Sequence, residues 1–187
     1  IIVKATEYPL SEFRIIKDEY EQNIIKMNCS ITEKCLGFLI DKPLSGFLGL
    51  TEKEFAIEME GFLIRNGASS KSFDFIIANK DSSSKPHYTA GNKKITEGIL
   101  LMDFGIISNN YCSDITRTFF IKNTGIEDVP KKFLDIYKIV KEAQEKAICY
   151  CREGIPASDL DKVARNFINK HGYGDNFGHS LGHGIGL

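Results

Sequence analysis

One segment, ILLMDFGIISNNYCSDITRTFF at residues 99–120, constrains the fold more than any other part of the sequence. The runs 99–104 and 111–121 are rich in aliphatic, aromatic and β-branched residues, which favour strands. The polar stretch Ser108-Asn109-Asn110, which lies between the runs, is too short for anything other than a tight connection. The segment therefore predicts an antiparallel hairpin, with Asp103 on one strand and Asp114 on the other.

The register of this hairpin determines how the two aspartates meet. A two-residue loop at Ser108-Asn109 would set residue 107 opposite 110 and Asp103 directly opposite Asp114. Direct cross-strand partners have Cβ atoms about 5 Å apart, and like charges at that distance destabilise a bare sheet. A pair of divalent cations would bind such carboxylates well. The alternative is that one aspartate is a turn residue and the other faces solvent, and a bulge at Gly105 would also spoil this register.

Two of the four histidines, His179 and His183, lie in the closing segment FGHSLGHGIGL at residues 177–187. An H-x-x-x-H pair on a helix is a common zinc-ligand arrangement, but the alternating glycines make a helix improbable. The glycines also fit no phosphate-binding motif. They favour an extended segment whose backbone approaches another element and presents imidazoles at a cleft wall.

Three segments resemble signatures of the pita-bread metallopeptidases, the family of aminopeptidase P, prolidase, methionine aminopeptidase and creatinase. These segments are PHYTAG at 86–91, MDFG…SDITRTF at 102–119 and FGHSLGHGIGL at 177–187. They occur in the family's order, and the resemblance runs from about Arg14 to the last residue. It is closest to the Xaa-Pro peptidase branch.

The resemblance implies an α+β fold with a curved, antiparallel-rich sheet, helices outside and a pseudo-twofold repeat. It also implies that Asp103, Asp114 and His183 are metal ligands, and that His87 and His179 hold the substrate and the tetrahedral intermediate. The expected cofactors are two divalent metal ions, with manganese favoured over cobalt, zinc or iron. The expected substrate is a proline-containing peptide, and a homodimer is expected.

The chain also departs from the family's pattern. In these enzymes a further histidine and two glutamates follow the H-x-x-x-H segment, whereas this sequence ends at Leu187. It begins at Ile1 without an initiator methionine, and we expect residues 1–187 not to include the amino-terminal domain common in the Xaa-Pro branch. We therefore expect residues 1–187 to be a single, incomplete catalytic domain with three of five ligands, inactive when made alone.

Composition agrees with a globular α/β chain. With 187 residues and 42% hydrophobic residues it can bury one sizeable core, and no linker divides it. A formal net charge of −1 with dispersed basic residues gives no reason to expect nucleic-acid binding or an anionic membrane surface. No apolar run is long enough to cross a membrane. Five cysteines without a C-x-x-C motif indicate reduced thiols and a cytoplasmic location.

A weak internal repeat accompanies the predicted helices. A shift of 105 residues (154 − 49) lays Gly49 on Gly154 and Gly67 on Gly172, and a seven-residue gap aligns the preceding helices. Two such units would leave a cleft between halves. Helices are predicted from Lys17 to about Ile40, with an apolar stripe of Ile24, Ile31, Cys35 and Phe38, and from Thr51 to Gly67, opened by a capping box over Thr51 to Glu54. Further helices are predicted from Pro130 to Gly154 and from about Ser158 to His171.

These observations favour an Xaa-Pro peptidase acting through a metal-activated water. The alternative within enzymes is a methionine aminopeptidase-like hydrolase, which the H-Y-T and D-I-T-R-T-F segments disfavour. The alternative outside enzymes is a non-catalytic pita-bread module that binds peptides or proteins. The sequence does not choose between a dipeptidase and an aminopeptidase acting on longer peptides.

Overall fold

The computed structural model describes residues 11–41, 44–122 and 128–187. The described residues form two compact units. One comprises those of 1–123 together with 184–187, and the other comprises those of 124–183. The prediction of one catalytic domain over 1–187 stays a prediction, since a division into compact units does not test it.

The first unit contains three helices and six strands among its described residues. The predicted helix after Thr51 is confirmed, including its capping box: the Thr51 side chain accepts from the Glu54 amide, and the Glu54 side chain accepts from the Thr51 amide. The elements are α1 Ser11–Ile15, α2 Glu19–Asp41, α3 Glu52–Arg65, β1 Ser70–Lys71, β2 Ile76–Asn79, β3 Gly98–Phe104, β4 Ile106–Ser108, β5 Tyr111–Cys112 and β6 Ile115–Ile121.

These strands form two antiparallel sheets of three strands, in the orders β1-β4-β5 and β2-β3-β6. Side chains alternate along β3, so that Met102 and Phe104 are buried and Asp103 lies on the opposite face. The buried face packs on a core that includes Phe55 of α3 and Cys35 of α2. The sheet therefore has one face in the core and one that carries Asp103.

The second unit is built on α4, Lys131–Tyr150, and α5, Ala157–Lys170. The two helices meet through a small core of Ala143, Ala147 and Ala164 with Ile168. No helix within the described residues is long and apolar enough to be a membrane span.

The element bounds agree with the predicted repeat. Helices α3 and α5 begin and end 105 residues apart (157 − 52 and 170 − 65), and α2 and α4 begin 112 apart (131 − 19). Gly67 and Gly172, which follow α3 and α5, both have positive φ, of 108° and 81°. The same helix-terminating conformation thus recurs at matched positions.

The predicted hairpin register is wrong by two residues. The turn residues are Asn109 and Asn110, not Ser108-Asn109, and Ser108 pairs with Tyr111. Both turn residues have positive φ, of 49° and 67°, which asparagine tolerates better than serine. Moving the turn by one residue places Asp103 opposite Thr116, so Asp103 and Asp114 are not direct partners.

Candidate functional site

In the observed register Asp103 has a cross-strand partner that holds its carboxylate. Asp103 is half-buried, and its Oδ1 accepts a hydrogen bond of 2.6 Å from the Thr116 hydroxyl. Asp114 lies two residues before Thr116 and just outside β6, and in a regular antiparallel pair this diagonal position would fall on the same face as Asp103. A diagonal pair leaves more room between carboxylates than the predicted direct pair, about 7–8 Å between Cα atoms in regular sheets.

A buried group of hydrogen bonds among Ser72, Ile106 and Ser113, here called the node, interrupts the strands between the two aspartates. The Ser113 amide donates to the Ile106 carbonyl at 2.9 Å, and the Ile106 amide donates to Ser113 Oγ at 3.1 Å. The Ser72 hydroxyl donates to the Ser113 carbonyl at 3.0 Å. A Cβ at Gly105 would collide with that carbonyl and come within 2.5 Å of Ser72 Oγ. Only glycine fits at position 105.

Helix α2 holds the same hairpin through two buried polar residues. The Asn28 amide Nδ2 donates to the carbonyls of Ser108 and Tyr111, at 3.1 and 2.7 Å. One turn later, the Thr32 and Ser113 hydroxyls lie 3.3 Å apart. We did not single out these residues from the sequence. A signal was present, because Asn28 and Thr32 fall within the predicted apolar stripe of this helix, where a polar residue needs a partner.

His87 lies on the loop after the 3-10 helix Lys80–Ser84, with an exposed side chain and a backbone φ of 56°. Non-glycine residues seldom adopt a positive φ, and such residues cluster at functional sites. The loop is tied to the start of α3. The Tyr88 hydroxyl donates to Glu52 Oε2 at 2.7 Å, and the Gly91 amide donates to the same oxygen at 3.3 Å.

Glu52 is a residue that the sequence did not reveal as important. Its side chain is fully buried, and its other oxygen accepts from the Asn79 amide at 3.2 Å. A buried carboxylate needs such donors, and Glu52 sits at the helix N-terminus, where the helix dipole also favours negative charge. In the sequence two glutamates, Glu52 and Glu54, follow Thr51, and the predicted capping box accounts for Glu54 alone.

The histidine segment is irregular, as predicted. It follows the 3-10 helix Gly174–Asn176, and neither His179 nor His183 lies in a helix or strand. Both side chains are exposed. His179 Nδ1 lies 2.7 Å from the Ser180 carbonyl oxygen. Because a carbonyl can only accept, Nδ1 carries a proton, and Nε2 is an acceptor when the ring is neutral.

The end of this segment makes the close backbone approach expected of its glycines, at one position. Gly186 and Cys112 exchange backbone hydrogen bonds of 2.9 and 3.1 Å within the first unit. Gly186 has a φ of 96°, and a Cβ there would lie 2.9 Å from the end of the Ile25 side chain. At Gly178, Gly182 and Gly184 a Cβ would meet nothing within 4 Å.

The predicted site residues divide between the two units. Asp103, Asp114 and His87 belong to the first unit, and His179 and His183 to the second. Within either unit, the described residues contain no group of three His, Cys, Asp or Glu side chains arranged to hold a metal ion. The donor types nevertheless fit a divalent cation, since carboxylates and imidazole are common ligands. The metal-ligand roles of Asp103, Asp114 and His183 therefore stay predictions.

Comparison with known proteins shows the family. The sequence model of metallopeptidase family M24 matches residues 23–187. The Xaa-Pro dipeptidase of Pyrococcus horikoshii is 40% identical over 185 residues, which are 98% of this chain and 50% of that protein. The corresponding enzyme of Pyrococcus furiosus is 39% identical over 185 residues, which are 98% of this chain and 51% of that protein.

Solved structures agree. Prolidase from Pyrococcus furiosus matches with a TM-score of 0.86 and 39% identity, over 95% of this chain and 50% of that chain. An Xaa-Pro dipeptidase from Bacillus anthracis matches with a TM-score of 0.88 and 35% identity, over 97% and 49%. This chain thus spans about half the length of the relatives it matches. The predicted α+β pita-bread fold is confirmed, and the chain belongs to metallopeptidase family M24.

Proposed function

We propose that the complete protein is a metallopeptidase that removes the N-terminal residue from Xaa-Pro peptides. The observation that carries the proposal is the hairpin register, which sets Asp103 opposite Thr116 and leaves Asp114 two residues before that partner, on a chain 40% identical to an Xaa-Pro dipeptidase over 98% of its length. Membership of a metallopeptidase family implies divalent metal ions. The sequence-based ligands Asp103, Asp114 and His183 remain our proposal for part of that site.

Each residue has a distinct task in this scheme. Bound ions supply a water of lowered pKa and polarise the scissile carbonyl. The carboxylates of Asp103 and Asp114 provide the negative charge that holds such ions, and the Thr116 hydroxyl orients the Asp103 carboxylate. We propose that His87 and His179 hold the substrate and the tetrahedral intermediate. His179 Nε2 accepts from a substrate N–H when the ring is neutral and donates to an oxyanion when it is charged.

Finer features of the proposal rest on chemistry and resemblance. We propose two manganese ions, since manganese suits carboxylate ligands, and a homodimer. The proposed cytoplasmic location is supported by the five cysteines, all in the described residues and all free. Burial raises the pKa of the Cys35 thiol to about 12, so this thiol is unreactive at neutral pH.

A peptide panel on the complete protein, followed by mass spectrometry, tests the reaction. We expect release of Xaa from Xaa-Pro peptides and little release of methionine from Met-Ala-Ser. Faster methionine release would instead favour a methionine aminopeptidase, and binding without cleavage would favour a non-catalytic module.

A matched pair of variants tests the metal assignment. Asp114→Asn should abolish tight manganese binding and turnover together, because it removes the negative charge that holds the ion. Asp74→Asn is the control, since Asp74 is an exposed acid of the same unit that pairs with Lys71 at 2.7 Å. Calorimetric titration with manganese measures both variants. Unchanged stoichiometry and affinity in Asp114→Asn would contradict the assignment.

A further inference from the structure

A charged pair on α5 lies beside the histidine segment. Arg165 and Asp161 are one helical turn apart and form a bidentate ion pair, with Nε–Oδ2 at 2.7 Å and Nη2–Oδ1 at 3.0 Å. This two-bond arrangement has more geometric specificity than an ordinary surface ion pair. It also leaves donors and acceptors available for other groups, since a guanidinium carries five N–H bonds.

The pair uses those groups to hold three alternate residues of one segment. Arg165 Nη1 donates to the Phe177 carbonyl at 2.7 Å, and Nη2 donates to the His179 carbonyl at 3.1 Å. Asp161 Oδ1 accepts from the Leu181 amide at 2.9 Å. The guanidinium also lies over the Phe177 ring, 4.4 Å from its centroid. The backbone is therefore fixed at His179 and two residues to either side of it.

The segment needs such external support. Residues 177–181 form no helix or strand, so no regular ladder fixes their backbone. Gly178 and Gly182 flank the histidine, and glycine is conformationally permissive. The helix, in contrast, has no need of this pair, because α5 forms its own backbone bonds and packs on α4 through Ala164 and Ile168.

The geometry points to a role for Asp161 and Arg165 in catalysis: we propose that they are positioning residues that set the location of His179. The proposal rests on the proposed function, in which His179 holds the substrate and the tetrahedral intermediate. Neither residue is assigned contact with substrate or metal. They act through the carbonyls of Phe177 and His179 and the amide of Leu181. A lysine at position 165 would keep the charge but lacks the planar fork that reaches the Asp161 carboxylate and both carbonyls.

The test uses the complete protein with Asp161→Ala and Arg165→Lys. The matched control is Asp159→Ala, which removes an acid from the same helix whose 2.8 Å ion pair to Lys162 does not touch the histidine segment. Displacement of a catalytic group by about 1 Å can cost on the order of a hundredfold in rate. We expect kcat/KM to fall by about tenfold to a hundredfold in Asp161→Ala and Arg165→Lys and to stay within about twofold in the control.

Two further readouts separate positioning from a general structural role. In a His179→Ala background, Asp161→Ala should lower kcat/KM by less than about a further twofold, because the effects of residues that act through one group are not additive. Amide hydrogen exchange should show lost protection at Leu181 in Asp161→Ala, with protection in α5 unchanged.

The outcomes are distinct. If the wild type is active and Asp161→Ala has the same kcat/KM as the control, the positioning role is overturned. It is also overturned if Asp161→Ala lowers kcat/KM by the same factor with and without His179. If the wild type cleaves no Xaa-Pro peptide, the proposed function fails on its own. The exchange measurement then still decides whether the pair fixes the segment: lost Leu181 protection supports it, and unchanged protection overturns it.

Discussion

The aspartate hairpin and the histidine segment are held by opposite means. The hairpin is fixed by neutral hydrogen bonds in the core, where Asn28 and Ser113 are 0% and 1% exposed. The histidine segment is fixed by an ion pair whose side chains, Arg165 and Asp161, are 38% and 24% exposed. Buried neutral bonds are costly to remove and indifferent to pH and salt, whereas exposed charges are screened and titrate. We infer that the hairpin is rigid and that the hold on the histidine segment weakens in salt and in acid.

The largest loss of stability is expected when a side chain is added at Gly105. Gly105→Ala should destabilise the protein by about 3 kcal/mol, because its Cβ collides with the Ser113 backbone carbonyl, which cannot move without breaking the node. Gly37→Ala is the control, since a Cβ there meets nothing within 4 Å and the position is helical. That substitution should stabilise by about 0.5–1 kcal/mol. Urea denaturation measures both, and equal midpoints would contradict a rigid hairpin.

A smaller loss of stability is expected when only the Ser113 hydroxyl of the node is removed. Ser113→Ala leaves the Ile106 amide buried without its acceptor, which should cost about 1–3 kcal/mol. Ser84→Ala removes a hydroxyl that bonds the Asp81 carbonyl at an exposed site, and should change stability by less than about 0.5 kcal/mol. Chemical denaturation compares the two. A cost no larger than the control's would mean that solvent reaches the node.

The smallest effect on overall stability, and the clearest distinction between the regions, is expected on acidification. Hydrogen bonds from Arg165 and then from the Leu181 amide hold the pKa of Asp161 below its ordinary value of 3.8. A carboxyl whose pKa is lowered on folding stabilises the folded state at pH values above its ordinary pKa. This contribution is lost as the pH falls through the lowered pKa. Leu181 protection should therefore disappear only in that acid range.

The Ile106 amide is the internal reference for this titration, because its acceptor, the Ser113 hydroxyl, does not ionise there. Its protection should persist where that of Leu181 is lost, as followed by amide exchange across the acid range. Parallel loss at both amides would show that the two regions unfold together, and the contrast between them would be wrong.

Local signals sufficed for the helices and for the identity of the candidate residues. The capping box at Thr51, the apolar periodicity of α2 and the glycines after α3 and α5 act within a few residues of one another, so the sequence alone placed these elements. The glycines around His179 likewise excluded a helix correctly. The three motifs identified the family, because their order and spacing are carried by the sequence itself.

The register of the hairpin was decided by tertiary structure. Ser108, Asn109 and Asn110 are all compatible with tight turns, so the local sequence permitted more than one closing pair. The Asn28 side chain binds the carbonyls of Ser108 and Tyr111, which close the turn, and it comes from a helix some eighty residues earlier in the chain. The sequence determined that two aspartates share a hairpin. Packing against α2 decided the register that sets Asp103 opposite Thr116, because the buried Nδ2 of Asn28 must find acceptors.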